Sequence, residues 1–372
     1  MLQSSVFLRQ PHPSSEMSSP PKVWVLLGER IGDNNQVLRL AEALGWPFEV
    51  KRLRYIWPIY RRPAPYLGSS LKSLDQAESD PLEAPWPDLV IAIGRRSVPV
   101  MRYIRKRSGG QTKLVTLGRP RARPGLFDLV VSTPQYRLPE HRKVLQIPTP
   151  LHQITESRLE QARETWQPRL KHLPRPHIAL LVGGQVAPYR FDVETARELG
   201  RRANALAQRE GGSLLVSTSF RTGDAPRDAL FAEIDVPSYL YAWQREDPEN
   251  PYFGFLADAD AFVVTGDSVS MLTEALTTGR SVQIFSLPKR RRTSAKVKDW
   301  ASSQPAIHWI LDLAVHFGLT ALPRDQERIK KVLREAGLAG ELGDPIVREV
   351  PPLPDSLAQV VARVRALFPE AP

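Results

Sequence analysis

The sequence predicts an α/β protein made of two doubly wound halves that face a central cleft. Apolar runs of strand length alternate with helical stretches, and each half opens with a strand that runs into a glycine turn. At 372 residues the chain is also longer than one hydrophobic core usually organises. Because ligands of open α/β sheets bind at the carboxyl ends of parallel strands, the cleft is the expected binding site.

The first half is predicted to be a domain over residues 22–150, preceded by a flexible Pro/Ser-rich tail over residues 1–21. Its predicted elements are strands 23–27, 48–53, 89–93, 113–117 and 129–131 and helices 35–44 and 98–107. Residues 55–80 are rich in aromatic, proline and basic residues and show no clear period. We expect them to form an excursion from the sheet.

The second half is predicted to follow a hinge over residues 151–175, which contains a helix over 155–173. The second domain spans residues 176–350 in this prediction. Its predicted elements are strands 178–182 and 213–217, a helix over 193–208 and a helix–strand–turn–helix–strand unit over 252–287. A final helix over 355–368, within a last segment 351–372, carries apolar residues on one face and needs a groove to cover.

The net charge of +11 is concentrated in the first half. Residues 1–150 hold 23 Lys and Arg against 12 Asp and Glu, whereas the remainder holds 28 of each sign. A basic domain beside a neutral one suggests that the first domain faces a polyanion. The candidates are a nucleic acid, an anionic membrane and a phosphorylated acceptor.

Composition also excludes several classes of chemistry. The chain has no cysteine, which excludes disulfides, thiolate catalysis and cysteine-bound metals. The seven histidines show no metal-binding spacing, and the G-x-S-x-G motif of serine hydrolases does not occur. No apolar run is long enough to span a bilayer, and the N-terminal residues do not form a secretory signal. We therefore expect a cytoplasmic protein that uses no metal.

The unit at 252–287 is the most informative stretch. A buried strand at 261–264 runs into the turn Gly266-Asp267-Ser268, and a helix follows that ends at Gly279. Asp267 or Ser268 is expected to cap this helix, whose N-terminus forms an anion or phosphate site. Glu274, two turns into the helix, is placed to accept hydrogen bonds from a sugar or ribose hydroxyl. The alternative is an ordinary βαβ unit with a well-capped helix.

Two further strand ends in the second half carry anion-compatible turns. Gly183 and Gly184 follow one strand, where a backbone without side chains approaches a phosphate closely; the alternative is a plain turn. Ser219 and Arg221 follow another, where a hydroxyl and a guanidinium could hold a diphosphate. The alternative there is a polar loop with an exposed arginine.

The turn after the first strand, Gly28 to Gln36, is neither a dinucleotide-binding fingerprint nor a P-loop. Gly32 provides its hinge, and Asp33 and Gln36 crowd the start of the next helix, so we assign this turn to substrate binding. Asp33 is the candidate general base that takes a proton from an acceptor hydroxyl, with Gln36 orienting it. The alternative is that Asp33 or Asn34 caps the helix.

Two basic segments complete the candidate features. Residues 51–62, KRLRYIWPIYRR, interleave arginines with aromatics. Such a segment binds a lipid headgroup interface, stacks on nucleic-acid bases or covers a small satellite core. The run KRRRTSAKVK at 289–298 is expected near the rim of the cleft.

Several motifs resemble the "elongated mitochondria" family, which comprises plant mitochondrial-fission factors and bacterial relatives often labelled glycosyltransferases. They are GDNNQ and LAEAL within 32–44, PDLVIAIGRRSVP at 87–99, FDLVVSTPQY at 127–136, IALLVGG at 178–184, GGSLLVSTSFRT at 211–222 and LADADAFVVTGDSVSMLTEALTTGRSV at 256–282. The last is the most specific, and the likeness covers roughly residues 23–320.

This resemblance implies a GT-B fold, in which the second of two Rossmann-like domains holds most of a nucleotide-sugar donor. The 252–287 unit is similar to the donor-binding unit of lipid-linked-sugar transferases of the peptidoglycan type. On that likeness Glu274 contacts the ribose, and Asp267, Ser268 and Ser270 lie beside the diphosphate or sugar. Many relatives have a histidine where this chain has Asp33, which is a departure from the pattern.

Two main functional hypotheses follow. In the first, a GT-B type glycosyltransferase at the cytoplasmic membrane face moves a sugar from a nucleotide diphosphate sugar, a substrate and not a cofactor, to an anionic or lipid-linked acceptor. In the second, a non-catalytic membrane-surface adaptor uses the same scaffold. A sugar-nucleotide epimerase or hydrolase is a third. Nucleic-acid binding ranks last, because no known binding module is visible.

Overall fold

The computed structural model describes residues 19–61, 64–289 and 324–370. Within them the chain forms two six-stranded sheets, and all the pairings between their strands are parallel. Parallel sheets with crossover helices are the defining feature of Rossmann-like domains. The predicted α/β class with two Rossmann-like, GT-B-like domains is therefore confirmed.

The first sheet contains β1 (Val23–Leu27), β2 (Phe48–Arg52), β3 (Leu89–Ile93), β4 (Lys113–Leu117), β5 (Leu129–Ser132) and β6 (Val144–Gln146). Their order across the sheet is β2-β1-β3-β4-β5-β6. The central strands are buried along almost their whole length, which explains why they are nearly continuous apolar runs. The order reverses between β1 and β3, and a crevice opens there at the carboxyl edge.

The helices of the first half are α1 (Ile31–Leu44), α2 (Ala64–Leu67) and α3 (Val98–Arg107). α1 begins one turn before the predicted start, with Arg30 at the N-cap position and Asp33 in the first turn. The expectation that Asp33 or Asn34 caps this helix is therefore wrong. Asn34 instead bonds Gly28 twice: its Oδ1 accepts the Gly28 N–H at 3.0 Å, and its Nδ2 donates to the Gly28 carbonyl at 2.8 Å.

The second sheet contains β7 (His177–Leu181), β8 (Ser213–Ser217), β9 (Ser238–Tyr241), β10 (Ala261–Thr265), β11 (Ser281–Phe285) and β12 (Gly340–Glu341). Their order is β12-β11-β10-β7-β8-β9. Taken from β7 onward, this is the order of the dinucleotide-binding sheet, which reverses between its first and fourth strands. The crevice therefore lies at the carboxyl ends of β7 and β10.

The helices of the second half and the C-terminus are α4 (Glu156–Leu170), α5 (Val193–Glu210), α6 (Asp224–Phe231), α7 (Tyr252–Asp258), α8 (Val269–Thr277), α9 (Gln326–Glu335) and α10 (Ser356–Arg365). The predicted helices at 155–173 and 193–208 and the whole 252–287 unit are present within a few residues of their predicted bounds. The sequence did not predict β6, β9, β12, α2, α6 or α9.

The C-terminal helix α10 packs against the first half. Val360 and Val364 are fully buried in the same hydrophobic cluster as Val37 and Leu40 of α1. The groove that its apolar face needs is therefore supplied by the first domain, to which the chain returns after the second sheet.

The excursion at 55–80 extends the first core. Tyr55 is buried, bridges to Leu74, and packs in one cluster with Leu53. Satellite-core packing thus accounts for part of the basic aromatic segment, whereas Trp57 is 66% exposed. The second basic run lies outside the described residues except for Lys289, which is 4.0 Å from Glu327.

Candidate functional site

Gly183 and Gly184 meet Asp267 at the switch point of the second sheet. The glycines follow β7 and Asp267 follows β10, which pairs directly with β7. The Asp267 carboxylate accepts the Gly184 N–H at 3.0 Å, and the Thr265 hydroxyl accepts the Gly183 N–H at 2.7 Å. A Cβ atom at Gly183 would overlap the Asp267 carboxylate, and one at Gly184 would overlap the backbone of Arg221. Packing inside the turn therefore already requires both glycines.

Ser219 and Arg221 reach the same point from the end of β8. The Ser219 hydroxyl donates to the Gly183 carbonyl, and Arg221 Nη2 donates to the Asp267 carboxylate at 3.1 Å. Arg221 Nε is buried without a hydrogen-bond partner among the described residues. The structure thus brings together five predicted site residues from three strand ends, and it fixes one guanidinium there.

The Asp267 side chain is completely enclosed. Burial raises its pKa, although the Thr265 hydroxyl and the Arg221 charge act in the opposite direction. An enclosed carboxylate holds its neighbours in place, so Asp267 positions Arg221 and Gly184.

The helix α8 begins without a side-chain cap. Ser268 occupies its N-cap position, but its side chain makes no capping hydrogen bond. The prediction that Asp267 or Ser268 caps this helix is wrong, because the Asp267 carboxylate turns back to Gly184 and Arg221. The N–H groups of the first turn, beside the exposed Ser270, therefore keep their capacity to bind an anion.

Glu274 lies on α8 two turns from this N-terminus. The Tyr252 hydroxyl, at the start of α7, donates a hydrogen bond to its carboxylate. Burial raises the pKa of Glu274, against the effect of the Tyr252 hydrogen bond and of the Arg158 charge. Burial also raises the pKa of Tyr252. The carboxylate is thus oriented from within the 252–287 unit itself.

Two exposed aromatic rings at this edge were missed by the sequence analysis. Phe220 is 68% exposed and Trp243 is 38% exposed, and their ring centroids are 5.8 Å apart. Phe220 directly precedes Arg221, and Trp243 follows β9, the neighbour of β8. The signal that identifies them is their position after two adjacent strands.

The first sheet has a cavity of about 290 Å³ at its own switch point. Asp33 lines it, with its side chain 43% exposed and 4.0 Å from the Arg30 guanidinium. Gly32 and Gln36 do not line the cavity; the Gln36 side chain donates back to the Gly32 carbonyl at 3.2 Å within its own helix. The structure therefore places only one of these three predicted residues at the cavity wall.

The cavity wall is strongly basic. Its arginines come from the turns after β1, β3 and β4 and from the segment before α9, and we call them the arginine pocket: Arg30, Arg95, Arg96, Arg119, Arg121 and Arg324. The basic excess of this half was predicted from the sequence, but these particular arginines were not. Their position after successive strands is the signal that identifies them.

A short segment connects the two sites. Arg324 lines the first cavity, and the Asp325 N–H donates to the Gln135 carbonyl of the first half at 2.9 Å. Gln326 Nε2 donates to the Asp267 carbonyl of the second half at 3.0 Å. Three consecutive residues thus contact both halves of the molecule.

A family model described as Mitochondrial fission ELM1 matches residues 31–309, which include Asp33 and the Asp267–Glu274 unit. The chain belongs to this family. The predicted resemblance is thereby confirmed over three quarters of the sequence.

Two relatives extend the comparison within the Mitochondrial fission ELM1 family. Mitochondrial fission protein ELM1 of Arabidopsis thaliana is 29% identical over 245 residues, which is 59% of this chain and 56% of the plant protein. The chain therefore spans little more than half the length of that relative. An uncharacterized protein of Rickettsia prowazekii is 22% identical over 310 residues, 74% of this chain and 86% of that protein.

A solved structure also aligns with this member of the ELM1 family. The catalytic domain of starch synthase IV from Arabidopsis thaliana, bound to ADP and acarbose, aligns with 95% of this chain and 99% of its own. The TM-score is 0.47 and the identity is 11%.

Within 19–61, 64–289 and 324–370, no group of three or more His, Asp or Glu side chains is arranged to hold a metal ion. None of the helices in these ranges combines the length and apolar character needed to cross a membrane.

Proposed function

We propose that the protein is a GT-B type glycosyltransferase, which moves a sugar from a nucleotide diphosphate sugar to an anionic or lipid-linked acceptor. One observation carries the proposal. At the switch point of the second sheet, three strand ends fix the Arg221 guanidinium beside the uncapped N-terminus of α8, and Glu274 lies two turns along that helix. This arrangement provides both an anion site and an acceptor for ribose hydroxyls in one crevice.

The donor would bind in three parts. Arg221 and the N–H groups at the start of α8 would hold the diphosphate, whose charge they offset. The Glu274 carboxylate would accept hydrogen bonds from the ribose. The exposed rings of Phe220 and Trp243 offer a stacking surface for the base of the nucleotide, since every nucleobase has a flat face that stacks on an aromatic ring.

The acceptor would bind to the first half. Its hydroxyl oxygen attacks the anomeric carbon of the sugar, the bond from that carbon to the diphosphate breaks, and the nucleoside diphosphate leaves. The hydroxyl proton passes to Asp33, which lines the cavity of the first sheet. Closure of the two halves would exclude water and so limit hydrolysis of the donor.

We also propose that the first half lies against an anionic membrane on its cytoplasmic face. Ile31 and Tyr66 are each 76% exposed, and Trp57 is 66% exposed. Exposed apolar and aromatic side chains on a basic domain favour the interface of an anionic bilayer.

A second candidate is a non-catalytic adaptor at a membrane surface. The name of the plant relative, a mitochondrial fission protein, supports it. An adaptor would use the same exposed side chains but would have no need of the Glu274 carboxylate.

The test of the donor site is nucleotide-dependent thermal stabilisation of the purified full chain. A panel of nucleoside diphosphates and diphosphate sugars is added to wild type and to Glu274→Gln, whose amide oxygen still accepts the Tyr252 hydrogen bond. A ligand at 100 times its Kd stabilises the folded protein by about 2.7 kcal/mol. We expect a base-selective rise in Tm in wild type and loss of most of that rise in Glu274→Gln.

Glu233→Gln is the matched control. Glu233 is a partly exposed glutamate of the same half, and it pairs with Arg197 and Arg201 on the outer helical layer. The control should retain the full nucleotide response. If no nucleotide raises the Tm of wild type, the transferase proposal fails and the adaptor is favoured.

A product assay separates the transferase from an epimerase or a hydrolase. A transferase releases the nucleoside diphosphate from the best donor only when an acceptor is present. A hydrolase releases it without acceptor, and an epimerase alters the sugar while the nucleotide stays attached. Release that needs no acceptor would contradict the proposed reaction.

A further inference from the structure

Most of the charged residues that line the cavity of the first sheet are basic. Six arginines line it, against two carboxylates, Glu29 and Asp33. Both carboxylates already have partners: Glu29 is 3.1 Å from Arg96 and 3.8 Å from Arg54, and Asp33 is 4.0 Å from Arg30. In the ranges that the structure describes, no carboxylate lies within 4.0 Å of Arg121 or Arg324.

The arginines are also crowded together. Burial lowers the pKa of Arg119 to about 10, and the charges of Arg121 and Arg324 add to that effect. Burial and the Arg324 charge lower the pKa of Arg121 as well. Like charges held this close favour the binding of an anion between them, because the anion removes their repulsion.

The backbone and one aromatic ring hold this cluster in place. Arg121 adopts φ +51°, a conformation that costs a non-glycine residue energy and that concentrates at functional sites. The Tyr136 ring has Arg324 at 5.2 Å and Arg119 at 5.7 Å from its centroid. These contacts orient two of the guanidinium groups of the pocket, those of Arg119 and Arg324.

We propose that the arginine pocket binds a phosphate or diphosphate group of the acceptor. This inference rests on the proposed transferase function, which it makes more specific by naming the acceptor as a phosphorylated compound. Several forked guanidinium groups suit the oxygens of a phosphate, whereas a cavity of about 290 Å³ is too small for a nucleic-acid duplex. Because Asp33 lines the same cavity, a phosphate held there brings a neighbouring acceptor hydroxyl to the general base.

The phosphate could belong to a lipid-linked acceptor or to a soluble phosphate ester. Ile31, which directly follows the pocket residue Arg30, is 76% exposed. Trp57 lies three residues before Tyr60, whose ring contacts Arg96 at 4.0 Å. Exposed apolar side chains beside the pocket make vesicle binding the assay that distinguishes the two sources.

The first experiment is calorimetric titration of the full chain with inorganic pyrophosphate. We expect Arg121→Gln/Arg324→Gln to weaken binding by about 100-fold, since each substitution removes a charge-assisted contact. Arg121→Lys/Arg324→Lys keeps the positive charge but loses the forked guanidinium, so its affinity for pyrophosphate should lie between those of wild type and Arg121→Gln/Arg324→Gln. The matched control, Arg102→Gln/Lys106→Gln, makes the same charge change on α3 outside the pocket and should bind within twofold of wild type. The melting curve of each variant confirms that it is folded.

Arg221→Gln separates this inference from the donor proposal. If pyrophosphate binds in the arginine pocket, Arg221→Gln retains its affinity. If the affinity is lost in Arg221→Gln and retained in Arg121→Gln/Arg324→Gln, the pocket is not the phosphate site, and the donor proposal stands without it. Unchanged pyrophosphate binding in every variant also overturns the inference.

Vesicle co-sedimentation distinguishes a lipid-linked phosphate from a soluble phosphate ester. For a lipid-linked phosphate, wild type sediments with phosphatidylcholine vesicles that contain phosphatidic acid, pyrophosphate competes, and Arg121→Gln/Arg324→Gln does not sediment. For a soluble ester, pyrophosphate binds and the vesicles do not. Either result supports the proposal that the arginine pocket binds phosphate. If a single-stranded oligonucleotide displaces pyrophosphate at far lower concentration, the inference is overturned in favour of nucleic-acid binding.

Discussion

Replacing Gly183 by alanine tests whether the turn after β7 is packed as tightly as the site requires. An alanine Cβ would lie 2.6 Å from Asp267 Oδ1 and 2.7 Å from Asp267 Cγ, so the carboxylate has to move. The Asp267 side chain is completely enclosed and holds both Gly184 and Arg221, so it has no route to solvent.

Two costs add in this substitution. Overpacking a tight interior costs about 1–3 kcal/mol. Displacing a carboxylate from its hydrogen bonds while it stays buried costs about 1.5–3 kcal/mol. We therefore expect Gly183→Ala to lower the free energy of unfolding by about 3–5 kcal/mol. For a domain of this size each kcal/mol lowers the Tm by about 2–4 °C, so the second half should melt about 6–20 °C lower.

The assay is differential scanning calorimetry of the full chain, with Gly32→Ala as the control. Gly32 lies in α1, and an alanine Cβ there would meet nothing within 4 Å. Because alanine is the better helix former, the control should gain up to about 1 kcal/mol. If Gly183→Ala melts within about 2 °C of wild type, the close packing of Asp267 against this glycine is refuted.

Two further predictions concern pH. Because burial raises the pKa of Glu274 above its ordinary 4.5, nucleotide-sugar affinity should fall as pH decreases through that raised pKa, where the ribose acceptor becomes protonated. Calorimetric titration should show this fall of affinity in wild type, whereas Glu274→Gln should bind more weakly and with an affinity that does not change with pH. A diphosphate sugar is the right probe, since it lacks the terminal phosphate proton that titrates near pH ~6. Asp258→Ala, which leaves the buried His177 without its 2.5 Å partner, should cost about 3–5 kcal/mol of stability. Burial raises the pKa of Asp258, but His177 and Arg175 outweigh it and hold the pKa below the ordinary 3.8. The part of the wild-type advantage that comes from these ion pairs should therefore be complete near neutral pH and be lost as pH falls through the lowered pKa, below 3.8. An advantage that does not shrink at all between neutral pH and a pH well below 3.8 would contradict the assignment. The control is Arg169→Ala, at the surface pair with Glu249, which should leave the Tm unchanged.

The sequence predicted the central strands, which are buried on both faces, and the edge strand β2, but it missed the edge strands β6, β9 and β12. Strands such as β3 and β10 are uninterrupted apolar runs, and their periodicity is unambiguous. By contrast, β6 and β9 lie at sheet edges, are partly exposed, and carry mixed residues. Their pairing is decided by the neighbouring strand, which local sequence does not reveal.

The candidate site shows the same division. Gly183, Arg221 and Asp267 were identified because each follows a recognisable strand, and parallel strands end at a common edge. The roles within the turn were harder to predict. The Asp267 carboxylate points away from α8, the helix that follows it, and toward Gly184. Because β10 lies next to β7 in the sheet, the residues that follow these two strands, Asp267 and Gly184, come together. Strand order, rather than local capping preference, decided that contact.

The segment Arg324–Gln326 connects the arginine pocket directly to the turn that contains Asp267. Arg324 lies in the arginine pocket, Asp325 is bonded to the backbone of Gln135, and Gln326 is bonded to the backbone of Asp267. A displacement of Arg324 would therefore be transmitted through only two residues before it reaches Asp267, in the turn after β10. Groups that share such a connection do not contribute additively to stability or binding. We therefore expect the affinity measured at one proposed site to depend on whether the other is filled, and a titration that contains both pyrophosphate and a nucleotide sugar tests this expectation.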